Sequence, residues 1–429
     1  MGNTIFGLSL LLLTNLAICS KTLAQTSDEQ LVVQGKVTDK DTKEPLAFAT
    51  IRIKGKPIGV VSNLLGEFQF KFSDTYSSDT LYVSMLGYTV YEQVIKNIKN
   101  KEMLIVRLEE RVTVLQEVSI SEKELTAKEI VEKAVQNISN NYPQNPYILE
   151  GFYRDYKKEN GTYVVLFEAA VSIYDRGYSN PKNKQVLQER VYLDQVRKTK
   201  SIAYKAAIYK KMNVFRELLR ENDVRYVRKH LNVKDQEYVL EELTFLDDKL
   251  VYVISTGDNW TYSVYIDTES FAILKLELNA KWEGEKQNEW AMNDSIMLRT
   301  TEINGIVNFK KYKGKYYPAY MNYDVVMEGF EKSSGKIVFT SDFYEELLIN
   351  NIIIEEVKKP KSENLMSSNK VLELQSKPYN DAFWKRYNVI KETPLDLKII
   401  QNLEKEGSLE GQFESSGNPT HQKKRKSKE

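Results

Sequence analysis

Leu31–Phe72 reads LVVQGKVTDKDTKEPLAFATIRIKGKPIGVVSNLLGEFQFKF, and apolar residues recur along it with period two. Ala49, Ile51 and Ile53 alternate with Thr50, Arg52 and Lys54, and Phe68, Phe70 and Phe72 alternate with Gln69 and Lys71. After a polar loop come LYVSMLGYTVYEQV (Leu81–Val94) and MLIVRL (Met103–Leu108). Period-two alternation puts one side of each run in water and the other in a core, which describes half-buried strands. The turn-rich gaps between the runs then describe a small antiparallel sandwich.

The punctuation of this stretch carries a resemblance. Gly35, Val37 and Asp39, then Pro45-Leu46, Ala49-Thr50-Ile51, Gly59, Gly66-Glu67-Phe68 and Ser84-Met85-Leu86-Gly87-Tyr88 resemble the carboxypeptidase-regulatory-like domain. The resemblance implies a seven-stranded, prealbumin-like sandwich, found beside metallocarboxypeptidases and at the N-termini of envelope proteins of diderm bacteria. Gly66 and Gly87 fall where a turn must admit positive φ before the next strand. The family often has Thr-Asp where this chain has Ser62-Asn63. The resemblance carries fold and no catalytic residue.

Upstream, MGNTIFGLSLLLLTNLAICSKTLAQ holds an apolar run from Ile5 to Ile18 followed by small and polar residues. Its length and exit suit a secretory signal at 1–24, cleaved after Ala24, although no Lys or Arg precedes the run. An uncleaved N-terminal anchor is the alternative. Cys19 is the single cysteine of the chain. Lipidation there is disfavoured because Ile18 stands where a small residue is wanted, and cleavage after Ala24 leaves a chain without thiol or disulfide chemistry.

Downstream, Arg111–Ser121 reads as a last strand leaving a sandwich that spans 31–121. Thr126-Ala127-Lys128-Glu129 is a capping box, and Ile130, Val131, Ala134, Val135 and Ile138 follow at helical spacing. That helix opens a β-rich unit over 126–357. Asn160-Gly161 between Tyr147–Lys158 and Thr162–Tyr174 is a hairpin signal, and Asp247-Asp248 separates Tyr238–Leu246 from Leu250–Ser255 in the same way. Further strands are predicted at Thr261–Ile266, Phe271–Leu278, Thr300–Tyr312, Tyr316–Met327 and Lys336–Tyr344, with a helix over Met212–Glu221. A polar linker at 358–370 leads to a helical segment over 371–413, where Thr393-Pro394-Leu395-Asp396 starts a helix with Pro at its first position. Residues 414–429 end in Lys423-Lys424-Arg425-Lys426 and read as a disordered basic tail.

The fold class expected is therefore mainly β: a seven-stranded sandwich, then a large curved antiparallel sheet that an unclosed barrel would also satisfy, with few helices. The run Tyr262–Glu277, followed by Lys313-Gly314-Lys315-Tyr316-Tyr317-Pro318-Ala319-Tyr320-Met321, is similar to periplasmic lipoprotein carriers. That resemblance implies an unclosed barrel around a helix plug, with an apolar hollow for acyl chains.

Chemistry is sparse. The chain has 61 Lys and Arg against 60 Asp and Glu, net +1, which argues against nucleic acid as a partner. Only two histidines occur, His230 and His421; His421 falls in the basic tail and neither stands in a His-x-x-Glu or His-Glu-x-x-His pattern, which argues against a zinc peptidase, and no Gly-x-Ser-x-Gly elbow supports a serine hydrolase. Glu241-Glu242 and Asp247-Asp248 read as solvated acids flanking a hairpin, since neighbours on a strand face opposite ways. No catalytic, cofactor-binding or metal residue is assigned, and no cofactor is expected. Tyr153, Tyr163, Tyr174, Trp260, Tyr262, Trp282, Trp290, Tyr316, Tyr317, Tyr320 and Tyr323 could line a lipid hollow, stack on sugars, or simply pack across strands. Lys423–Lys426 could meet anionic headgroups or serve as a solubilising tail.

These features describe an exported protein, periplasmic or on the periplasmic side of the outer membrane, with no membrane span in the mature chain. The leading expectation is a non-enzymatic envelope protein with a docking sandwich and a sheet that binds a protein partner (an outer-membrane protein among them), an apolar ligand or a glycan. A carrier of lipid or lipoprotein acyl chains is the alternative. A hydrolase, needing carboxylates that converge in a cleft, is the third.

Overall fold

The computed structural model describes residues 30–98, 102–111, 125–178, 189–201, 218–219, 224, 237–256, 260–282, 289–359, 361, 365–366 and 379–404. Seven strands make the N-terminal unit: β1 (Gln30–Asp39), β2 (Thr50–Ile53), β3 (Gly59–Val61), β4 (Glu67–Ser73), β5 (Thr80–Ser84), β6 (Tyr91–Val94) and β7 (Leu104–Leu108). They form two sheets in the orders β4-β1-β7 and β3-β2-β5-β6. Phe68, Phe70, Phe72, Ile51, Ile53 and Val37 fill the space between them, the residues that the period-two pattern placed inward. One expectation fails: β7 pairs β1 in parallel, so the sandwich is not wholly antiparallel. The chain crosses from β6 on the other sheet before β7, and such a crossover delivers a parallel neighbour without needing a hairpin. Gly66 has φ +73°, and a Cβ there would stand 2.3 Å from the Val37 carbonyl, so only glycine fits the turn into β4.

The remaining strands are β8 (Tyr147–Glu159), β9 (Thr162–Asp175), β10 (Arg190–Ser201), β11 (Tyr238–Leu246), β12 (Lys249–Thr256), β13 (Trp260–Asp267), β14 (Ile273–Lys281), β15 (Glu289–Ala291), β16 (Ile296–Tyr312), β17 (Lys315–Glu331) and β18 (Ile337–Ile353). They join in one 11-stranded sheet, ordered β10-β9-β8-β18-β17-β16-β14-β13-β12-β11 with β15 beside β16. Its end strands β10 and β11 do not pair with each other, so the described sheet is open. Asn160-Gly161, Asp247-Asp248 and Lys313-Gly314 all have positive φ at both residues. That is the type I′ requirement, which matches the twist of the strands it joins.

Helices α1 (Ala127–Gln136) and α2 (Ile138–Asn141) lie on the inner face of the sheet. Thr126 and Glu129 form the reciprocal capping box that starts α1. Ile130, Val131, Ala134 and Ile138 join Val264, Leu276, Val307, Met321 and Leu347 in one buried cluster. Leu218 and Leu219 are helical and belong to the same cluster; the rest of the expected helix lies outside the described residues. Of the C-terminal segment, α3 (Asp381–Arg386) and α4 (Pro394–Glu404) are described.

On the outer face the sandwich is fastened to the sheet. Phe152, Ala170, Tyr320 and Leu348 of the sheet share a core with the sandwich and with Trp384 and Ile390. Phe48 stacks on Tyr320 at 5.2 Å. Arg52 pairs with Asp247 at 3.0 Å, and the Gly87 amide donates to the Phe245 carbonyl at 2.8 Å. Asp247-Asp248 is therefore a docking turn as well as a hairpin turn and not a pair of solvated acids, since Arg52 meets Asp247 and Arg111 meets Asp248 at 3.6 Å.

Candidate functional site

A strand presents alternate residues to one face, so the composition of that face is set by strand register. Across five strands the register lines up two polar rungs. Glu277 (β14), Ile306 (β16), Asn322 (β17), Glu346 (β18) and Arg154 (β8) form the first, ending on Glu168 of β9. Asn279, Asn304, Asp324, Tyr344 and Tyr156 form the second, ending on Leu166. One rung further in lie Tyr320, Leu348 and Phe152, already covered by the sandwich. The polar rungs begin where that cover stops.

The result is a cleft of about 420 Å³. Its floor is the two rungs. One wall is Phe48, Asn63 and Leu64 of the sandwich, and the other is Ile390, Lys391, Thr393 and Asp396 of the C-terminal segment. Asn63 joins the walls: its side-chain oxygen accepts from the Leu65 and Glu67 amides at 2.9 Å each, and its amide donates to the Lys391 carbonyl at 3.1 Å. Asp, frequent at this position in the family the stretch resembles, lacks that donor. Lys391 pairs in turn with Glu67 at 2.8 Å.

Arg154 sits deepest, with 4% of its side chain exposed. Its Nε donates to Glu168 at 2.9 Å and its Nη1 to Glu346 at 3.1 Å, with Asp396 at 3.2 Å. Asp396 arrives from the first turn of α4, where it also accepts from the Thr393 amide at 2.6 Å and receives the Thr393 hydroxyl at 2.8 Å. Ile399 and Leu403, one turn apart, hold α4 down on Tyr163 and Leu166. Burial opposes the charge on Arg154, but Glu168, Glu346 and Asp396 outweigh it and raise the pKa above its ordinary value. The Arg154 Nη2 has no hydrogen-bond partner among the described residues.

The carboxylates of the cleft differ in how they are engaged. Glu346 is held by Arg154 and accepts from the Tyr320 and Tyr344 hydroxyls at 3.0 and 3.2 Å. Burial pushes its pKa up, against the opposing pull of Arg154. Glu277 is met by Lys275 at 2.5 Å and by the Tyr265 hydroxyl at 2.7 Å. Asp324 has no ion pair among the described residues. Burial, then the neighbouring Asp342 and Glu302, push its pKa up to about 6.

Tyr156 and Tyr344 stack at 4.8 Å and 18° beside Asp324, giving the cleft an aromatic wall. Asn279, Asn304 and Asn322 occupy three adjacent strands, so donor and acceptor groups alternate along the floor. An array of neutral amides, a lone acid and a flat aromatic pair suits a polyhydroxylated ligand better than an acyl chain.

Sequence reading singled out none of these floor residues. Of the aromatics it named, Tyr153, Tyr163, Tyr174, Tyr262, Trp282, Tyr316, Tyr317 and Tyr320 are buried core, Tyr323 is half-buried against it, and Trp290 is exposed. Trp260 lies in β13. Glu241 and Glu242 are exposed on β11, beside a bulge at Leu240/Glu242. Cys19, Ala24, His230, His421 and Lys423–Lys426 lie outside the described residues. The usable signal was polar residues two apart on otherwise apolar strands: 154 and 156, 277 and 279, 322 and 324, 344 and 346. Among the described residues no group of three or more His, Cys, Asp or Glu is arranged to hold a metal, and no helix is long and apolar enough to cross a membrane.

Residues 33–120 match the family model of the CarboxypepD_reg-like domain. The CarboxypepD_reg-like domain is thus the seven-stranded sandwich, and it supplies Phe48, Asn63 and Leu64 to the cleft. No curated protein matches the chain. Among solved structures the chain is similar to a LolA superfamily protein from Nitrosomonas europaea, at 12% identity over 55% of this chain and 96% of that one, TM-score 0.19. A second is an outer membrane lipoprotein-sorting protein domain from Vibrio parahaemolyticus, at 11% identity over 55% and 95%, TM-score 0.23. A third is the MucA/MucB complex of Pseudomonas aeruginosa, at 9% over 54% and 99%, TM-score 0.18. The second is named for lipoprotein sorting, and Tyr262–Glu277 with Lys313–Met321 resembles periplasmic lipoprotein carriers. At such TM-scores the likeness does not bear on this chain's ligand.

Proposed function

We propose that the protein is a non-enzymatic binding protein of the cell envelope and that the junctional cleft holds a saccharide. The two-rung floor, with its three asparagines, Asp324 and the Tyr156–Tyr344 pair, carries this reading. Sugars are bound by arrays of side-chain amides and carboxylates that take hydroxyls in pairs, with a ring face against an aromatic. The CarboxypepD_reg-like domain is then a wall of the site, docked on its own chain. Envelope location rests on the export signal read in the sequence.

Hydrolysis of a glycoside needs two carboxyl groups free to act on one bond. Here Glu346 and Asp396 are committed to Arg154, Glu277 to Lys275 and Asp342 to Lys158, while Glu302 accepts from the Asn304 amide outside the cleft lining, so no second uncommitted carboxylate among the described residues lines the cleft with Asp324. Carriage of acyl chains needs an apolar hollow. On the described inner face α1, α2 and Leu218, Leu219 and Val224 pack into the sheet core instead.

The test is calorimetric titration of the full chain with a panel of neutral and charged oligosaccharides, beside Asn304→Ala. Binding of at least one saccharide that Asn304→Ala weakens about tenfold, the loss of a hydrogen bond left without its partner, with no cleavage of the sugar on long incubation, is the expected result. Acyl lipid co-purifying with the protein while every saccharide stays unbound would overturn the proposal. Release of shortened sugar would overturn its non-enzymatic half.

A further inference from the structure

The charges around the cleft do not balance. Arg154 is shared among three carboxylates, Lys391 is taken by Glu67, and Lys158, on the strand beyond, pairs with Asp342 at 3.4 Å. Asp324 is left facing Glu302 on β16 and Asp342 on β18, with Lys158 opposing them and Lys281 across from Glu302. Its carboxylate stands next to the stacked faces of Tyr156 and Tyr344. Asp324 and both tyrosines line the cleft beside the side-chain amides of Asn279, Asn304 and Asn322, so a ligand held there meets the acid, the aromatic pair and the amides together.

We propose that the cleft selects a saccharide bearing a free ammonium group, an amino sugar, and seats that ammonium against the Asp324 carboxylate. The inference rests on the saccharide reading and deepens it. An ammonium supplies the positive charge that Asp324, Glu302 and Asp342 together lack, and the Tyr156–Tyr344 pair offers a cation a π face. The Asn279, Asn304 and Asn322 amides take hydroxyl and ring oxygens. A lysine-rich peptide would also bring ammonium groups, but it would leave the row of amides with fewer hydroxyls to bind.

Acid weakens such a complex. Asp324 takes up its proton near pH 6, while the amine stays charged at every lower pH, so affinity for the amine falls as pH drops through 6. Facing Asp324 from the packed elements are Glu302, Asp342, Lys158, Tyr344 and Tyr156, with Glu277, Glu346, Arg154, Lys391 and Asp396 around the rest of the cleft.

The experiment titrates the full chain with a glucosamine oligosaccharide and with its N-acetylated counterpart, each at about pH 7.5 and about pH 5. The free amine is expected to bind about tenfold tighter at the higher pH, the size of a charge-assisted hydrogen bond, and the gap is expected to close in acid. Asp324→Asn should abolish the gap between the two sugars, whatever it does to the affinity they share. Should Asp324→Asn not fold, Glu302→Gln, which retains an acceptor for the Asn304 amide, should move the midpoint of the pH effect downward. Equal affinity for the two sugars would overturn the inference and leave saccharide binding standing. Binding of neither would overturn both. A lysine peptide that binds with the same Asp324 dependence, where the amino sugar does not, would overturn the assignment to a sugar.

Discussion

On β17, Met321, Tyr323 and Val325 turn to the inner face of the sheet while Tyr320, Asn322 and Asp324 turn to the outer one, and the two sets meet different surroundings. The inner set belongs to the core cluster that holds α1 and α2, and farther along that face Asp155, Lys157 and Glu345 are buried too, Asp155 and Lys157 paired at 3.0 Å. The outer set is apolar only where the sandwich and α3 cover it. Beyond that margin the same strands bury an arginine among three acids and leave a cleft. Burying ions costs several kcal/mol each, roughly, in desolvation, and apolar residues of the same volume often serve stability as well or better. The inner face buries few ions and is otherwise packed apolar core. The outer face keeps polar groups for what they bind.

The contrast can be broken most directly at Arg154. Arg154→Met leaves Glu346 and Asp396 without their cation and Glu168 with Arg197 alone at 3.6 Å, and unfolding by urea should show a loss of about 3–5 kcal/mol. A loss under about 1 kcal/mol would mean that the outer band is not held by its ions. On the inner face Leu347, fully buried, gives the reference: Leu347→Ala should cost about 3 kcal/mol through its cavity and leave saccharide affinity unchanged. A change in affinity there would mean that the faces are coupled.

The smallest effect is expected where the two outer partners meet. Lys310 of β16 is buried, its Nζ donating to the Pro57 carbonyl of the sandwich at 2.8 Å and to the Ile349 carbonyl at 3.2 Å. Burial, and then Arg52, push its pKa down to about 7. A neutral amine has two N–H groups for two carbonyls, which fits. The folded value lies below the unfolded one, so stability is complete above about pH 10.5, declines as pH falls toward 7 and is flat below. Lys310→Met should flatten that slope and, at neutral pH, raise stability by about 2 kcal/mol. An unchanged slope would place the titration elsewhere.

Much of the architecture was legible. Asn160-Gly161, the Thr126–Glu129 box and the Thr393-Pro394 helix start are local chemistry, and each stands where it was expected. β10, β15 and the far half of β18 were missed. In β18, Glu345-Glu346 and Asn350-Asn351 interrupt the apolar pattern, and they are tolerated because Arg154, Tyr320, Asn388 and Glu150 meet Glu346, Asn350 and Asn351 from other elements. The parallel β1–β7 pair was missed because pairing direction depends on the crossover between strands.

Sequence alone was enough for most of the strands and their turns, and for the sandwich with its inward phenylalanines, because period, turn residues and caps act over a few positions. The tertiary structure alone decided the cleft. Arg154, Glu277, Asn304, Asp324 and Glu346 come from five strands up to 192 positions apart in the Arg154–Glu346 bond, and only the register between strands sets them in adjacent rungs. The edge of the docked sandwich then decides which rungs stay open.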